Sequence, residues 1–268
     1  MRSILVAASR VDPVGLAASE ILRKEYGLEE YSDYRYIGRI YGSDLELRLI
    51  DVDSIYADML GTVSHDLIVF ISRHEAHIPR PMLLVHPTGN LSSEALFGGR
   101  PRCLSIAAAE AMASALRTLK YETSKRGLSY IVSYEATHHG PTIAKPILFI
   151  EVGSTPREWG DICALESIVE AVISTTRSKS GEPTAIGVGG SHYNHKFTSL
   201  CLDERYVFGH IIPGHIAWAI DREIFSRCID MTLENVEYAI FDWDNLKSSD
   251  RSKLIEYAKD AGLEIVKV

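Results

Sequence analysis

Paired cysteines, long apolar runs, linker-like stretches and an excess of positive charge are all missing from this chain. Its four cysteines, Cys103, Cys163, Cys201 and Cys228, stand far apart. None forms a Cys-x-x-Cys pair, which argues against a disulfide scaffold or a zinc ribbon. Cys163 falls in an expected helix and reads as core packing. No apolar run approaches the about 20 residues of a membrane span. The apolar stretch Ile4 to Ala8 is too short for a signal peptide and reads as a first strand. The expected location is cytoplasmic. Acidic residues outnumber basic ones, 36 to 28, for a net charge of −8. Bulk electrostatic attraction to nucleic acid is therefore not expected. A local basic patch remains open at Arg100-Pro101-Arg102, between Arg117 and Arg126, or at Arg177-Ser178-Lys179. Gly-x-Ser-x-Gly is absent, against a serine esterase of the α/β-hydrolase type. His-Glu-x-x-His is absent too, against the common zinc-protease helix.

What is present is a regular alternation of strand and helix signals over 268 residues, 46% of them hydrophobic. Ile4 to Ala8, Leu67 to Ile71, Met82 to Val85, Tyr130 to Tyr134, Ile147 to Val152, Ala185 to Val188, Val236 to Phe241 and Leu263 to Val268 read as strands. The continuous apolar run at 67–71 fits a strand covered on both faces. Leu45 to Val52 alternates apolar and charged residues, as a half-exposed or edge strand does. Asp12-Pro13 marks a helix start, with its end near Gly27. Alanine-rich Ile106 to Tyr121 reads as a helix packed closely on a sheet. Thr155-Pro156-Arg157-Glu158 is a capping box, and the helix is expected to run on through Ile173. Phe197 to Leu202 and Tyr206 to His210 read as a strand pair. A last helix spans about Ser249 to Ala261. The expectation is a single α/β domain over 1–268: three αβα layers around one mostly parallel sheet.

Histidines and carboxylates recur directly after these strands. Ser72-Arg73-His74, His86-Pro87-Thr88-Gly89-Asn90, Glu135-Ala136-Thr137-His138-His139-Gly140-Pro141, Glu151-Val152-Gly153, Gly189-Gly190-Ser191-His192 and Gly209-His210 all stand at such ends. Ligands of open α/β sheets bind at the carboxyl ends of the strands. One such histidine means little, since a polar loop histidine is more often solvated. Several together point to one shared polar site, most simply a metal-dependent one. Glu135 and Glu151 can serve as general base or ligand, because a buried carboxylate needs a partner. An ion pair is the plainer reading of Glu151, and a simple turn that of 86–90. Arg73 can hold an anion or sit in a surface ion pair. Gly187 to His192 can cradle a phosphate, but it matches neither the P-loop nor the dinucleotide fingerprint.

These motifs, with Thr88-Gly89-Asn90, Gly153-Ser154-Thr155 and Tyr193, resemble the archaeal and plant type of D-aminoacyl-tRNA deacylase, from the first strand to at least Ile211. His195 and Glu75-Ala76 depart from the family pattern, and His195 and Glu75 are set aside as candidates. The resemblance implies a zinc-dependent hydrolase, with two zinc ions, that cleaves the ester joining a D-amino acid to tRNA. It also implies a fold like that of nucleoside phosphorylases and peptidyl-tRNA hydrolases. On this reading His74, His86, His138, His192 and His210 are the metal-ligand candidates. Glu135, Glu151 and His139 are the acid–base candidates, His139 as proton donor to the leaving ribose oxygen. Arg73, Thr88, Asn90 and Thr137 are candidates for substrate contact. A monomer acting on charged tRNA, away from membranes, is expected. Three alternatives stay open: a zinc amidohydrolase or peptidase of small acylated amino acids, a phosphate-dependent nucleoside phosphorylase, and a non-catalytic binder.

Overall fold

A computed structural model describes residues 2–179 and 181–268. The first half runs β1 (Ser3–Ser9), α1 (Pro13–Glu25), β2 (Glu29–Ser32), β3 (Arg35–Ile40), β4 (Ser43–Ile50), β5 (Leu67–Glu75), β6 (Met82–His86), and the short β7 (Gly89–Asn90), β8 (Cys103–Leu104) and β9 (Ile106–Ala107). Then follow α2 (Ala109–Lys125), β10 (Ile131–Tyr134), β11 (Pro146–Ser154), α3 (Pro156–Trp159), α4 (Ile162–Ser174), β12 (Thr184–Val188), α5 (His195–Leu202) and β13 (Val207–Ile212). The chain closes with α6 (Arg222–Asp230), β14 (Val236–Phe241), α7 (Ser248–Asp260) and β15 (Glu264–Lys267).

The expected mixed α/β fold is present, but with two main sheets instead of one. The larger has nine strands in the order β10-β6-β11-β5-β1-β4-β3-β2, with β9 beside β11. Its centre is parallel, β11-β5-β1-β4, whereas β6 runs antiparallel to β11. The second sheet is parallel throughout, in the order β13-β12-β14-β15. Helices α1, α2 and α4 pack on the large sheet, and the largest apolar core runs from Ile4 and Val69 through Leu116 and Leu165 to Phe197 and Phe208. A separate core, with Val188, Ile212, Phe225 and Phe241, lies around the small sheet.

Several local signals fold as they read. Asp12 caps α1 through the Val14 and Gly15 amides. Thr155 and Glu158 form the capping box of α3. Other expectations are corrected. β4 is interior, between β1 and β3. Its alternating charge misleads because Glu46 is buried and bound by Arg35 and Arg48. Residues 197–202 form a helix, not a strand. Asn194 caps it through the Phe197 amide at 3.2 Å, and Phe197, Leu200 and Cys201 share its buried face. The helix after Thr155 stops at Gly160 and restarts at Asp161, which caps the Cys163 and Ala164 amides. Cys163, in that first turn, is exposed, not in the core. Helix α2 starts at Ala109, because Ile106 and Ala107 pair with β11. Its first amides are capped from across the fold by Glu234, at 2.8 and 2.9 Å.

Candidate active site

Sheet order brings the polar strand ends together. β5 and β6 flank β11, so Glu151 pairs in register with Ser72 on one side and Leu84 on the other. His74 and His86, each two residues further along, close over it. The segment after β10 is stitched to the second sheet: the Ala136 amide donates to the His192 carbonyl and the Thr137 amide to the Ile211 carbonyl. Glu135, His138, His139 and His192 thereby meet His74, His86 and Glu151 where the two sheets adjoin.

The geometry is close. His74 Nδ1 lies 3.3 Å from Glu151 and 3.6 Å from Glu135. His86 Nε2 lies 3.7 Å from Glu151 and 3.8 Å from Glu135. His192 Nε2 lies 3.0 Å from Glu135, but not at a hydrogen-bonding angle. The rings of His138 and His139 are 4.3 Å apart. His139 stands at φ +41°, and this left-handed turn aims both adjacent imidazoles at one centre. Three of the histidines share one arrangement. His86, His138 and His139 each donate Nδ1–H to a backbone carbonyl, of Pro87, Ala136 and Gly140, at 3.2, 2.8 and 2.5 Å. That bond sets the tautomer and leaves the Nε2 lone pair facing inward, as in histidine metal sites.

Electrostatics separate the residues further. Burial opposes the charging of His74 and His86, but the neighbouring carboxylates Glu151 and Glu135 outweigh it, and both pKa values are raised. Glu151 is buried too, yet the hydrogen bond from His74 and the proximity of the His74 and His86 imidazoles hold it well below the ordinary carboxylate range. Ser72 also donates to it at 2.7 Å. Burial, with His86 nearby, pushes His138 well below 6.5 and His139 down to about 4. His139 is therefore neutral at neutral pH.

Both carboxylate oxygens of Glu135 and the Nε2 of His86 are buried without a hydrogen-bond partner. Orphaned buried polar atoms are rare and costly. Three overlapping sets have ligand atoms within 4.8 Å of one another: His86, His138 and His139; Glu135, His138 and His192; His74, Glu135 and Glu151. Neutral imidazoles with carboxylates are a donor set that suits zinc. These residues fit a metal.

Other expected residues are elsewhere or otherwise engaged. His210 is no ligand in this geometry: its Nε2–H donates to the Ser105 and Met231 carbonyls at 3.1 Å, and its Nδ1 accepts from Thr137 at 3.0 Å. Thr137 bonds His210 and the Ile211 amide, and with Asn90 it lines a cavity of about 290 Å³ beside His138, His139 and His192. Thr88 is buried against Ser105 and the Pro141 carbonyl. Asn90 holds the Gly98 and Arg100 carbonyls. Arg73 does line the cleft but is bound by Asp12, Asp53 and Glu75. Tyr193 was missed; its hydroxyl meets His74 Nε2 at 2.8 Å. Its place beside His192 was the available signal. The cleft that opens on the group measures about 520 Å³ and is lined by His74, His138, His139, Glu151, His192 and Phe97. Of the expected basic patches, Arg102, Arg117 and Arg126 are paired with acidic residues.

The model of the D-aminoacyl-tRNA deacylase family matches residues 62–266. The chain belongs to the D-aminoacyl-tRNA deacylase family. Membership makes it a hydrolase. A D-aminoacyl-tRNA deacylase of Ignicoccus hospitalis is 33% identical, over 96% of this chain and 96% of its own. One of Pyrococcus furiosus is 32% identical, over 98% and 99%. A crystal structure of a conserved protein of unknown function superposes with a TM-score of 0.87 at 27% identity, over 99% of this chain and 95% of its own. No helix among the described residues is long and apolar enough to cross a membrane.

Proposed function

We propose that this protein hydrolyses the ester joining a D-amino acid to tRNA, with zinc held at the joined strand ends. The observation that supports it most is the buried, unpartnered state of Glu135 and of His86 Nε2 among five further ligand-type side chains. His86, His138 and His139 would hold the ion through their inward Nε2 atoms. The adjoining set of His74, Glu135 and Glu151 leaves room for a second ion. Bound there, zinc polarises a carbonyl and acidifies water.

The chain's own residues do the rest. Glu151, kept ionised by Ser72 and His74, holds negative charge beside the histidines and fixes the His74 ring. Glu135, with both oxygens unpartnered, takes the proton of the attacking water and returns it to the departing ribose oxygen. Tyr193 orients His74 from the open side of the cleft.

The test is release of D- and L-amino acid from matched charged tRNAs, with chelator and with zinc restored. Cleavage of the D form, lost on chelation and regained with zinc, supports the proposal. A folded, zinc-loaded protein that cleaves neither form, but does cleave small acylated amino acids, overturns it. Zinc content per chain decides between one ion and two.

A further inference from the structure

Phe97 is 66% exposed, although its backbone is held firmly. Its carbonyl accepts from the Gly140 amide at 2.9 Å, next to His139. Asn90 Nδ2 donates to the carbonyls of Gly98 and Arg100, at 2.9 and 3.3 Å, and the Arg100 amide donates to Thr142 at 2.8 Å. Gly98 stands at φ +73°, and a Cβ there would lie 2.0 Å from the Ile55 carbonyl oxygen. At Gly140 a Cβ would lie 2.2 Å from the Gly99 nitrogen. The loop is therefore bound to the very segment that carries His138 and His139. It presents a large aromatic side chain to solvent from a backbone that needs no further ordering.

That side chain lines two cavities, the cleft of about 520 Å³ and a second of about 290 Å³, and His138, His139 and His192 line both. Isolated exposed apolar residues are ordinary; one fixed between two openings onto a hydrolytic centre is placed for a ligand. Three residues on, Arg100 is exposed, and its guanidinium pairs with no carboxylate among the described residues.

We infer that Phe97 stacks on the terminal base of the tRNA and that Arg100 meets the adjacent backbone phosphate. This rests on the proposed function. The scissile ester hangs from the same ribose as that base, so a carbonyl placed at the histidines puts the base beside them. Base stacking on an aromatic tolerates any base and needs a flat, exposed face. Of the aromatic side chains in the cleft, Phe149 is buried and Tyr193 is bonded to His74. Phe97 is the exposed one.

The test pairs binding with kinetics. A short oligoribonucleotide ending in 3′-adenosine is titrated against wild type, Phe97→Ala, Phe97→Trp and Arg100→Ala, so binding is read without turnover. Phe97→Ala should weaken binding by about tenfold and raise KM for charged tRNA with kcat nearly unchanged. Phe97→Trp should restore both. Arg100→Ala should lower the slope of log affinity against log salt by about 0.7. Unchanged oligonucleotide binding in Phe97→Ala overturns the inference. So does a loss that follows the size of the amino-acid side chain, which would make Phe97 a wall of the amino-acid pocket. Wild type that binds the oligonucleotide but cleaves no charged tRNA would sink the proposed function and leave the stacking site standing.

Discussion

His86 and His210 are both fully buried histidines on strands, and they do opposite things. His210 has all its hydrogen-bonding capacity met by Thr137, Ser105 and Met231. Nothing is left for a ligand, and burial pushes its pKa down to about 4. His86 satisfies Nδ1 on the Pro87 carbonyl, while Nε2 faces two carboxylates without bonding either. The one ring locks the second sheet to the 135–141 segment; the other keeps a nitrogen unpaired beside two carboxylates. Burial and strand position do not separate a structural histidine from a ligand. The pairing left undone does.

The comparison breaks most visibly at the metal group. Glu135→Gln should lower kcat/KM by at least about 100-fold with circular dichroism unchanged, and His138→Ala should lose zinc as well as activity. Full activity in either variant would put the chemistry elsewhere. Next in size, His210→Ala should retain zinc per folded chain but lose about 3 kcal/mol of stability, because Thr137, Ser105 and Met231 lose their partner in the interior. Denaturant titration beside a zinc assay reads both, and a His210 variant lacking zinc would erase the distinction.

The same histidine sharpens the contrast through pH. Its unfolded imidazole takes up a proton near pH 6.5, whereas the folded one resists until about pH 4. Its contribution to stability is therefore complete above 6.5 and falls away as pH drops toward 4, by about 3 kcal/mol in all. Melting curves across that range should be flatter for His210→Asn than for wild type; parallel curves would refute the assignment. Smallest of all, Tyr193→Phe removes one hydrogen bond to His74. It should weaken zinc affinity by about tenfold, measured by competition with a chelator, with no change in melting temperature of the zinc-free protein.

Much of the site was legible because its markers are local. An apolar run leading to His or Glu is visible at Leu67–His74, Met82–His86 and Ile147–Glu151 without any tertiary knowledge. The capping residues Asp12, Thr155 and Glu158 act within four positions and were equally plain. Legibility failed where a distant partner changed the meaning of a local pattern. Glu46 looked solvent-facing until Arg35 and Arg48 covered it. Phe197 to Leu202 looked like a strand until Asn194 capped it as a helix. Thr88, Asn90 and Thr137 looked like substrate contacts because hydroxyls and amides beside histidines suit that role. In the fold their hydrogen bonds go to backbone carbonyls, an amide and His210, and only Asn90 and Thr137 line a cavity beside the histidines.

By itself the sequence determined the alternation of strands and helices, the helix starts, and the accumulation of histidines and carboxylates at strand ends. Each follows from side-chain period, β-propensity or a cap within one turn. Only the tertiary structure decided which ends meet. That depends on β5 and β6 flanking β11, with β6 reversed, and on the second sheet delivering His192 and engaging His210. These pairings join residues as much as 119 positions apart, as His74 and Tyr193 are. Their register is set by the burial of whole strand faces, which no short segment encodes alone.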